Sequence, residues 1–187
     1  MKLPASFVQH RFDSPFGEVV AAASPAGLAG VWFTGQRHFP PKAGGPRSWA
    51  IDDAHAVLLQ TRGQLLDYFA GRRTGFDLPL DLAFGTPFQQ AVWQALLAIP
   101  LGRTTSYGAI ARGLGSASAV RAVGAAVGRN PISVIVPCHR VVGTGGALTG
   151  YAGGLDRKVA LLELEGVRGR VAPASSPAGA SGVARQD

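Results

Sequence analysis

The sequence predicts a mixed α/β protein of the α+β kind, with two domains and a tail. Short apolar runs separated by turn residues fill the first 85 residues and predict a small antiparallel sheet with one helix. Helical patterns dominate the next segment and predict a helical second domain. The last stretch consists mainly of Ala, Pro, Ser and Gly, a composition typical of disorder. The predicted domains are therefore 1–85 and 86–170, followed by a disordered tail at 171–187.

The first domain is predicted to contain three strands, a loop and a helix. The strands are placed at 7–12, 18–24 and 27–33, where Pro-Phe-Gly and Ser-Pro-Ala-Gly turns separate apolar runs. The segment 38–48 is rich in Pro, Gly and basic residues, which predicts a loop. Asp52 and Asp53 are placed to cap a helix that runs to about Ala70 and stops at Gly71. Its predicted apolar side consists of Val57, Leu58, Leu65, Leu66 and Phe69.

The second domain is predicted to begin with a capped helix at 87–97. Thr86 and Pro87 form a favourable N-cap and first-turn pair. The expected inward residues are Phe88, Val92, Ala95 and Leu96, and Trp93 is also interpreted as core. Two shorter helical patterns follow at 106–113 and 118–129, joined by a turn at 114–117. This spacing is that of a helix-turn-helix, although many helical hairpins share it.

The helix predicted at 118–129 has two different faces. Val120, Val123 and Val127 share one face, which we expect to be core. Arg121 leads a second face that continues with Ala125 and Gly128 and is nearly bare of side chains. A bare face permits close backbone approach and suits the narrow minor groove of DNA. Close packing against another helix is the alternative explanation.

The basic residues of the chain are unevenly distributed. The net charge is +7, yet residues 1–85 hold eight Lys or Arg against seven Asp or Glu. Residues 86–170 hold nine against three, and no acidic residue occurs between Asp81 and Asp156. A surface without carboxylates suits a polyanion, because each carboxylate there would repel phosphate. A generally basic protein with solvated arginines explains the counts equally well.

Cys138 is the single cysteine, which excludes an intramolecular disulfide and argues against a structural zinc site. It follows an apolar run at 132–136 that is interpreted as a buried, strand-like segment. His139 is its neighbour, and Glu165, in a last helix at 155–165, is the carboxylate that we expect inside. A cysteine attacks as thiolate, so an imidazole backed by a carboxylate would raise its reactivity. Because adjacent side chains of an extended segment point apart, a direct contact would need a bent backbone or a bridging water.

The segment Val136-Pro137-Cys138-His139-Arg140-Val141-Val142 resembles the active-site signature of the methylated-DNA–protein-cysteine methyltransferases, also called O6-alkylguanine-DNA alkyltransferases. Further matching motifs occur in the family's order: 88–100, Ser106-Tyr107-Gly108, Arg121-Ala122-Val123-Gly124, Asn130-Pro131, Tyr151-Ala152-Gly153-Gly154 and 161–166. The first half is similar more loosely, in Ser14-Pro15-Phe16-Gly17 and Asp67-Tyr68-Phe69. The resemblance implies a ribonuclease H-like first domain and a winged-helix-like second domain that binds DNA and carries the catalytic site.

The resemblance implies catalytic roles for five residues. Cys138 is the nucleophile and alkyl acceptor, His139 takes its proton through a water, and Glu165 orients His139. Asn130 braces the hinge between the recognition helix and the active site. Tyr107 helps to displace the nucleotide and donates a proton or hydrogen bond to guanine N3.

The resemblance also implies contacts to DNA and to the flipped base. Arg121 fills the gap that the rotated base leaves, and Tyr107, Ser116 and Thr144 are the other implied DNA contacts. The implied substrate pocket is formed by Val141, Tyr151 and Ala152, where the carbonyls of Cys138 and Val141 accept from the exocyclic amine and the Ala152 N–H donates to O6. Several relatives have Ser in place of Ala152, and a contact made by the backbone survives that difference.

The implied reaction is an irreversible, single-turnover transfer of a methyl or larger alkyl group from O6 of guanine, and less readily O4 of thymine, to the protein's own cysteine. The implied partner is double-stranded DNA, bound by a monomer through the minor groove with no cofactor or metal. A non-catalytic lesion sensor and a Cys-His hydrolase are alternatives; the cysteine favours an enzyme over the first, and the acid-free basic stretch opposes the second. Without a membrane-length apolar run or signal-peptide pattern, we expect a cytoplasmic protein with no membrane partner.

Overall fold

The computed structural model describes residues 3–45 and 48–167, so the tail predicted at 171–187 lies outside the described residues. Its main sheet has four strands: β1 (Val8–Phe12), β2 (Val19–Ser24), β3 (Gly27–Phe33) and β4 (Ala50–Ile51). Strands β1, β2 and β3 form an antiparallel meander, which confirms that prediction. Strand β4 pairs parallel to β1, beyond the segment that was predicted as a loop.

Both faces of this sheet are buried, because side chains of β2 alternate between two apolar clusters. Val19, Ala21 and Ala23 point into the main core, which includes Leu58 and Leu65 of the following helix. Val20 and Ala22 point into a smaller cluster on the other face. The small cluster contains Phe7, Ala29, Trp32, Ala43 and Trp49. The sheet therefore forms the centre of the first half.

Helix α1 (Ala56–Phe69) packs on the main-core face of the sheet, although its start differs from the prediction. His55 is the N-cap residue, and no side chain caps the helix. Asp52 instead accepts from the N–H of Ala54 at 3.1 Å, and Asp53 pairs with His10 at 2.7 Å. The predicted aspartate cap is therefore wrong, because both carboxylates bind groups that precede the helix.

Helix α2 (Pro87–Leu97) begins at Thr86 as predicted. Thr86 accepts from the N–H of Gln89, whose side chain in turn accepts from the N–H of Thr86, which completes a capping box. Trp93 is fully buried and donates its indole N–H to Ala126 O at 2.9 Å. Phe88 was predicted inward but is 38% exposed, because it lies in the first turn before the helix enters the core.

Two short helices follow, α3 (Tyr107–Gly113) and α4 (Val120–Gly128), close to the predicted limits. Ser106 caps α3 by accepting from the N–H of Ala109, and a 3-10 turn at Ala117–Ala119 leads into α4. Val123 and Val127 are buried as predicted, whereas Val120 is 40% exposed. Val120 differs because it is the first residue of its helix and lines a cavity there.

The run at 132–136 is buried as predicted but is not a strand. It consists of consecutive turns, and Val134 adopts a left-handed conformation with φ 72°. Its start docks on the free edge of β3, where the N–H of Val31 donates to Pro131 O at 2.8 Å and the N–H of Ser133 donates to Val31 O at 2.9 Å. This docking attaches the segment that precedes Cys138 to the sheet.

The remaining elements surround the cysteine segment. A small sheet pairs β5 (Thr105–Ser106) with β6 (Val141–Val142) in parallel. Helix α5 (Leu155–Leu164) ends with Glu165 as its C-cap residue, as the prediction of a last helix required. No helix among residues 3–45 and 48–167 is long and apolar enough to cross a membrane. The expected cytoplasmic location stays a prediction.

Candidate active site

Cys138 begins a 3-10 turn (Cys138–Arg140) directly after the docked segment. The residue is 5% exposed and lines a cavity of about 490 Å³. The cavity is walled by α4, by Tyr107 and by the loop before α5. Its remaining lining residues are Arg37, His38, Val120, Arg121, Gly124, Ala125, Val127, Gly128, Arg129, Thr149, Gly150, Tyr151 and Ala152. The thiol is therefore buried beside a space that can hold a ligand.

Asn130 fixes the sulfur and the backbone around it. Its side-chain N–H donates to Cys138 Sγ at 3.1 Å and to Val136 O at 2.7 Å, and its Oδ1 accepts from the N–H of Ile132 at 3.0 Å. Burial raises the pKa of the Cys138 thiol, while the hydrogen bond from Asn130 and the positive charge of Lys158 lower it. Asn130, which was predicted to brace the hinge, thus also donates a hydrogen bond to the sulfur that would carry the thiolate charge.

His139 is fully buried, and its imidazole makes no hydrogen bond with the side chain of Cys138 among the described residues. Its Nε2 lies 2.5 Å from Glu165 Oε1. Its Nδ1 has no hydrogen-bond partner among the residues that the structure describes. Burial lowers the pKa of His139, and the carboxylate of Glu165 opposes that change. The imidazole is thus held at Nε2, while its Nδ1 is buried without a hydrogen-bond partner among the described residues.

Glu165 is the buried carboxylate that the sequence predicted, and four groups bind it. Besides His139, Arg140 Nε donates to its Oε2 at 2.8 Å, the N–H of Gly102 lies 3.4 Å from Oε2, and the hydroxyl of Tyr68 donates to Oε1. Burial alone would raise the pKa of Glu165, but the hydrogen bonds from His139, Arg140 and Tyr68 outweigh burial and hold it at about 2. The carboxylate is therefore ionised at neutral pH.

Tyr107 and Arg121 both line the cavity, as their predicted roles require. Tyr107 is the first residue of α3, and burial raises its pKa. Arg121 is exposed in the first turn of α4. Ala125 and Gly128 follow it along the cavity wall, so the bare face predicted for this helix is real and faces open space.

The loop before α5 supplies the opposite wall. Tyr151 and Ala152 line the cavity as predicted, and Ala152 O accepts from the N–H of Arg37 at 2.9 Å. A Cβ on Gly153 would lie 2.6 Å from Cε1 of Tyr151, so only glycine fits beneath this ring. Burial holds the pKa of Tyr151 well above its ordinary value.

Three of the residues predicted to contact DNA or to form the substrate pocket lie apart from the cavity lining. Ser116 is half-buried before the 3-10 turn that precedes α4, and Thr144 is exposed in the glycine-rich loop. Val141 is fully buried, and its carbonyl accepts from the ammonium group of Lys158 at 2.6 Å. The implied contacts of these residues with DNA and with the base stay predictions.

Lys158 was missed by the sequence analysis. It is fully buried, donates to Val141 O and to Thr149 O at 2.8 Å, and burial lowers its pKa to about 8. Its helical spacing from Leu161 and Leu162 would have placed it on the buried side of α5. A buried ammonium group near a cysteine favours the thiolate.

The rim of the cavity is positively charged. Arg37, Arg121 and Arg129 line it, and among the described residues no carboxylate does. Burial lowers the pKa of His38, and the charges of Arg37 and Arg129 lower it further. Arg37 and His38 come from the loop after β3, in the half where the sequence showed no functional constellation. The rim suits an anionic partner.

Two family models match the chain. The "6-O-methylguanine DNA methyltransferase, ribonuclease-like domain" matches residues 8–82. The "6-O-methylguanine DNA methyltransferase, DNA binding domain" matches residues 87–167. The second match contains Cys138, His139 and Glu165, and the first contains Tyr68.

Individual proteins of known name are similar over most of the chain. A methylated-DNA–protein-cysteine methyltransferase of Mycobacterium leprae is 49% identical over 153 residues, covering 82% of this chain and 88% of that protein. The crystal structure of Mycobacterium tuberculosis OGT in complex with DNA is 46% identical with a TM-score of 0.73, and the match covers 86% of this chain and 92% of that chain. The crystal structure of the O6-methylguanine-DNA methyltransferase of Pyrococcus kodakaraensis is 25% identical with a TM-score of 0.59, and the match covers 86% of this chain and 99% of that chain.

Proposed function

Because the chain belongs to the 6-O-methylguanine DNA methyltransferase family, we propose that it repairs DNA by moving an alkyl group from O6 of guanine to Cys138. The Sγ–carbon bond forms as the carbon–O6 bond breaks, and the electron pair of the broken bond passes to the guanine. The product is a thioether, which nothing in the site can hydrolyse. Each molecule therefore reacts once, and the DNA is restored without excision.

One observation carries this proposal: the only sulfur of a cysteine in the chain lines a cavity with a basic rim, within reach of a donor amide. A cavity of about 490 Å³ is within the range of small-molecule sites, and its wall of Tyr107, Tyr151 and Gly124 suits a flat ring. The absence of carboxylates from the described lining removes the groups that would repel DNA phosphates.

His139 is the proposed acceptor of the thiol proton. We infer that it passes through a bridging water to His139 Nδ1, the imidazole nitrogen that has no partner among the described residues. Glu165 holds the opposite nitrogen and stabilises the imidazolium that forms. On the other side of the reaction, the Tyr107 hydroxyl is the proposed donor to guanine N3 as the leaving base gains charge.

The proposed DNA complex follows from the bare face of α4. We infer that α3 and α4 act as a helix-turn-helix whose second helix enters the minor groove, because Ala125 and Gly128 permit close approach. Arg121, at the leading end of that face, would occupy the space of the flipped base. The target base then enters the cavity of Cys138. We expect one monomer to bind each lesion.

Two alternatives make different predictions. A non-catalytic lesion sensor needs no nucleophile, and Cys138 with its donor Asn130 favours the enzyme. A Cys-His hydrolase needs the imidazole at the sulfur, whereas no side-chain hydrogen bond joins Cys138 to the His139 imidazole among the described residues, and His139 Nε2 is bound to Glu165. Alkyl transfer is the function that fits both observations.

Mass spectrometry tests the proposal directly. The protein is mixed with a duplex that contains one O6-methylguanine, and intact mass and peptide maps are recorded. We expect one added methyl group, located on the Cys138 peptide, and unmodified guanine in the DNA. A Cys138→Ala variant should bind the same duplex and gain no mass. Methylation of that variant, or no methylation of the parent protein on a duplex that it binds, would overturn the proposal.

A further inference from the structure

The hydroxyl of Tyr68 reaches the carboxylate of Glu165 from the other half of the chain. Tyr68 lies on α1, within the segment that matches the ribonuclease-like domain, whereas Glu165 ends α5. The hydroxyl donates to Oε1, the same oxygen that lies 2.5 Å from His139 Nε2. One oxygen therefore joins the first half to the imidazole beside the nucleophile.

We propose that Tyr68 is a positioning residue for alkyl transfer, which fixes Glu165 Oε1 and limits how much of the carboxylate's charge acts on His139. The inference rests on the proposed function of Cys138, because it concerns the base that serves this thiol. It assigns the first half of the chain a part in the chemistry at Cys138.

The surroundings of Tyr68 make it a rigid donor. The residue is 2% exposed, and its ring packs against Phe76 with centroids 5.0 Å apart and against Phe69 at 6.1 Å. An aromatic side chain fixed in this way loses little further freedom when it donates. Glu165, by contrast, is the C-cap residue where α5 ends, so its carboxylate depends on outside partners for its position.

A purely structural explanation exists, because any buried hydroxyl needs a partner. What distinguishes this contact is the acceptor. Three donors share Oε1, namely His139 Nε2, Arg140 Nη2 and the Tyr68 hydroxyl, so removal of the tyrosine hydroxyl leaves more of its charge for His139 Nε2. The imidazolium becomes more stable and the pKa of His139 rises.

The other charged and titratable groups around this pair are known and stay in place. Arg140 donates to both oxygens of Glu165 from the 3-10 turn that also holds Cys138. Lys158 of α5 contributes positive charge, which lowers the pKa of His139. The ring of Tyr151 meets the His139 ring edge-on, with centroids 6.5 Å apart. Tyr68→Phe leaves these three contacts in place and removes the hydrogen bond to Glu165 together with the interaction between the Tyr68 hydroxyl and Arg140, which lowers the pKa of Tyr68.

The first test is a titration of the His139 ring by nitrogen-detected NMR in the free protein, which requires neither DNA nor transfer. We compare the parent, Tyr68→Phe and Phe16→Leu. Phe16→Leu is the matched control, because it disturbs the packing on Phe69 of the same helix and leaves the ring contacts and the hydroxyl of Tyr68 in place. In Tyr68→Phe the pKa of His139 should rise by roughly 0.5 to 1; in Phe16→Leu it should not change.

The second test is the pH profile of single-turnover methyl transfer to saturating duplex. The acid limb of Tyr68→Phe should move to higher pH by the same amount. Equal His139 titrations and equal acid limbs in the two variants would overturn the inference. If the parent protein transfers no methyl group, the proposed function is wrong. The NMR titration still measures the effect of Tyr68 on the pKa of His139 in that case.

A third protein covers the case in which Tyr68→Phe does not fold. Site-specific 3-fluorotyrosine at position 68 keeps the ring and makes the hydroxyl a stronger donor. The pKa of His139 should then fall below that of the parent. A titration that is unchanged by the fluorine contradicts the inference as firmly as an unchanged Tyr68→Phe does.

Discussion

Asn130 donates a hydrogen bond to Cys138 Sγ at 3.1 Å from a side chain that the neighbouring backbone holds on both of its ends. Its amide nitrogen also binds Val136 O, and its oxygen binds the N–H of Ile132. The donor therefore cannot rotate away when the sulfur changes its charge. Burial destabilises a thiolate at Cys138. The fixed hydrogen bond from Asn130 opposes this effect and leaves the cavity open.

Loss of the amide donor should raise the pKa of Cys138. A hydrogen bond to a charged group contributes about 1.5 to 3 kcal/mol, so Asn130→Asp, which keeps the shape but replaces the donor with a negatively charged acceptor beside the sulfur, should shift the pKa upward by at least about one unit. Transfer near neutral pH should slow by about tenfold or more. Thiolate absorbance measures the shift, because the chain has one cysteine and the contribution of its three tyrosines can be subtracted with a Cys138→Ala variant. An unshifted thiol titration in Asn130→Asp would show that the amide does not act on the sulfur.

Acid should remove a stabilising contribution of Glu165. Its pKa is about 2 in the folded protein against an ordinary value of 4.5, so the unfolded chain binds a proton first as the pH falls. The contribution is complete above pH 4.5 and is lost between that value and about 2, with a size on the order of 2 to 3 kcal/mol. Urea unfolding across this range should show the loss in the parent.

The controls for this loss are two carboxylate variants of the same region. Glu165→Gln should show a much smaller change in unfolding free energy across the same pH range. Glu163→Gln removes an exposed carboxylate and should retain the full loss, since isolated surface charges contribute little. Identical acid profiles for the parent and Glu165→Gln are incompatible with a carboxylate held by His139, Arg140 and Tyr68.

A carboxylate on the bare face of α4 should block DNA. Ala125 is exposed and lines the cavity, so Ala125→Glu adds both bulk and negative charge where close approach is proposed. The Kd for a duplex should rise by about tenfold or more at moderate salt, measured by fluorescence anisotropy. Ala91→Glu, on an exposed position of α2 away from the cavity, makes the same change of charge and should raise Kd by no more than about twofold. Equal weakening by both variants would indicate a long-range charge effect alone.

Local sequence patterns predicted most of the fold because neighbouring residues supply the hydrogen bonds that define these elements. The pair Thr86 and Pro87 specifies a helix start without reference to the rest of the chain. Strands β4, β5 and β6 have two residues each, too few for an alternating pattern, and only their partners define them. The face of a helix was misjudged where apolar identity was the only guide, as at Phe88 and Val120 in first turns.

The site was predicted where its residues lie in recognisable motifs and missed where the contacts cross the chain. Asn130 contacts Cys138, and Glu165 contacts the adjacent His139, whereas the catalytic roles that the resemblance implies stay predictions. The partner of Tyr68 is 97 residues away, and no local pattern reports such a contact.

The capping box of α2 should contribute to stability and not to chemistry. Thr86→Ala removes the side-chain acceptor for the N–H of Gln89 and should lower the free energy of unfolding by about 1 kcal/mol. The rate of methyl transfer should stay unchanged, because the cap lies outside the cavity lining. Thr74→Ala, at an exposed threonine outside any helix, is the matched control and should change the stability by less than about 0.5 kcal/mol. A slower transfer in Thr86→Ala would reveal an unexpected link between α2 and the site.

Lys158 should give the protein a rise in stability at alkaline pH. Burial lowers its pKa to about 8 from 10.5, so between these values the unfolded chain binds a proton that the folded protein does not. The free energy of unfolding then increases with pH over this window. Lys158→Met keeps the length of the side chain and should lack the rise, whereas Lys42→Met, at a half-buried lysine of a 3-10 turn, should retain it.

The same lysine should influence the nucleophile, since its positive charge lowers the pKa of Cys138. In Lys158→Met the thiol should titrate at higher pH than in the parent, and transfer near neutral pH should slow by several-fold. Its two carbonyl partners, Val141 O and Thr149 O, also lose a donor, so a stability loss at neutral pH is expected alongside. If Lys158→Met keeps both the alkaline rise and the thiol titration of the parent, the ammonium group is not charged beside the sulfur, and the buried lysine acts through packing alone.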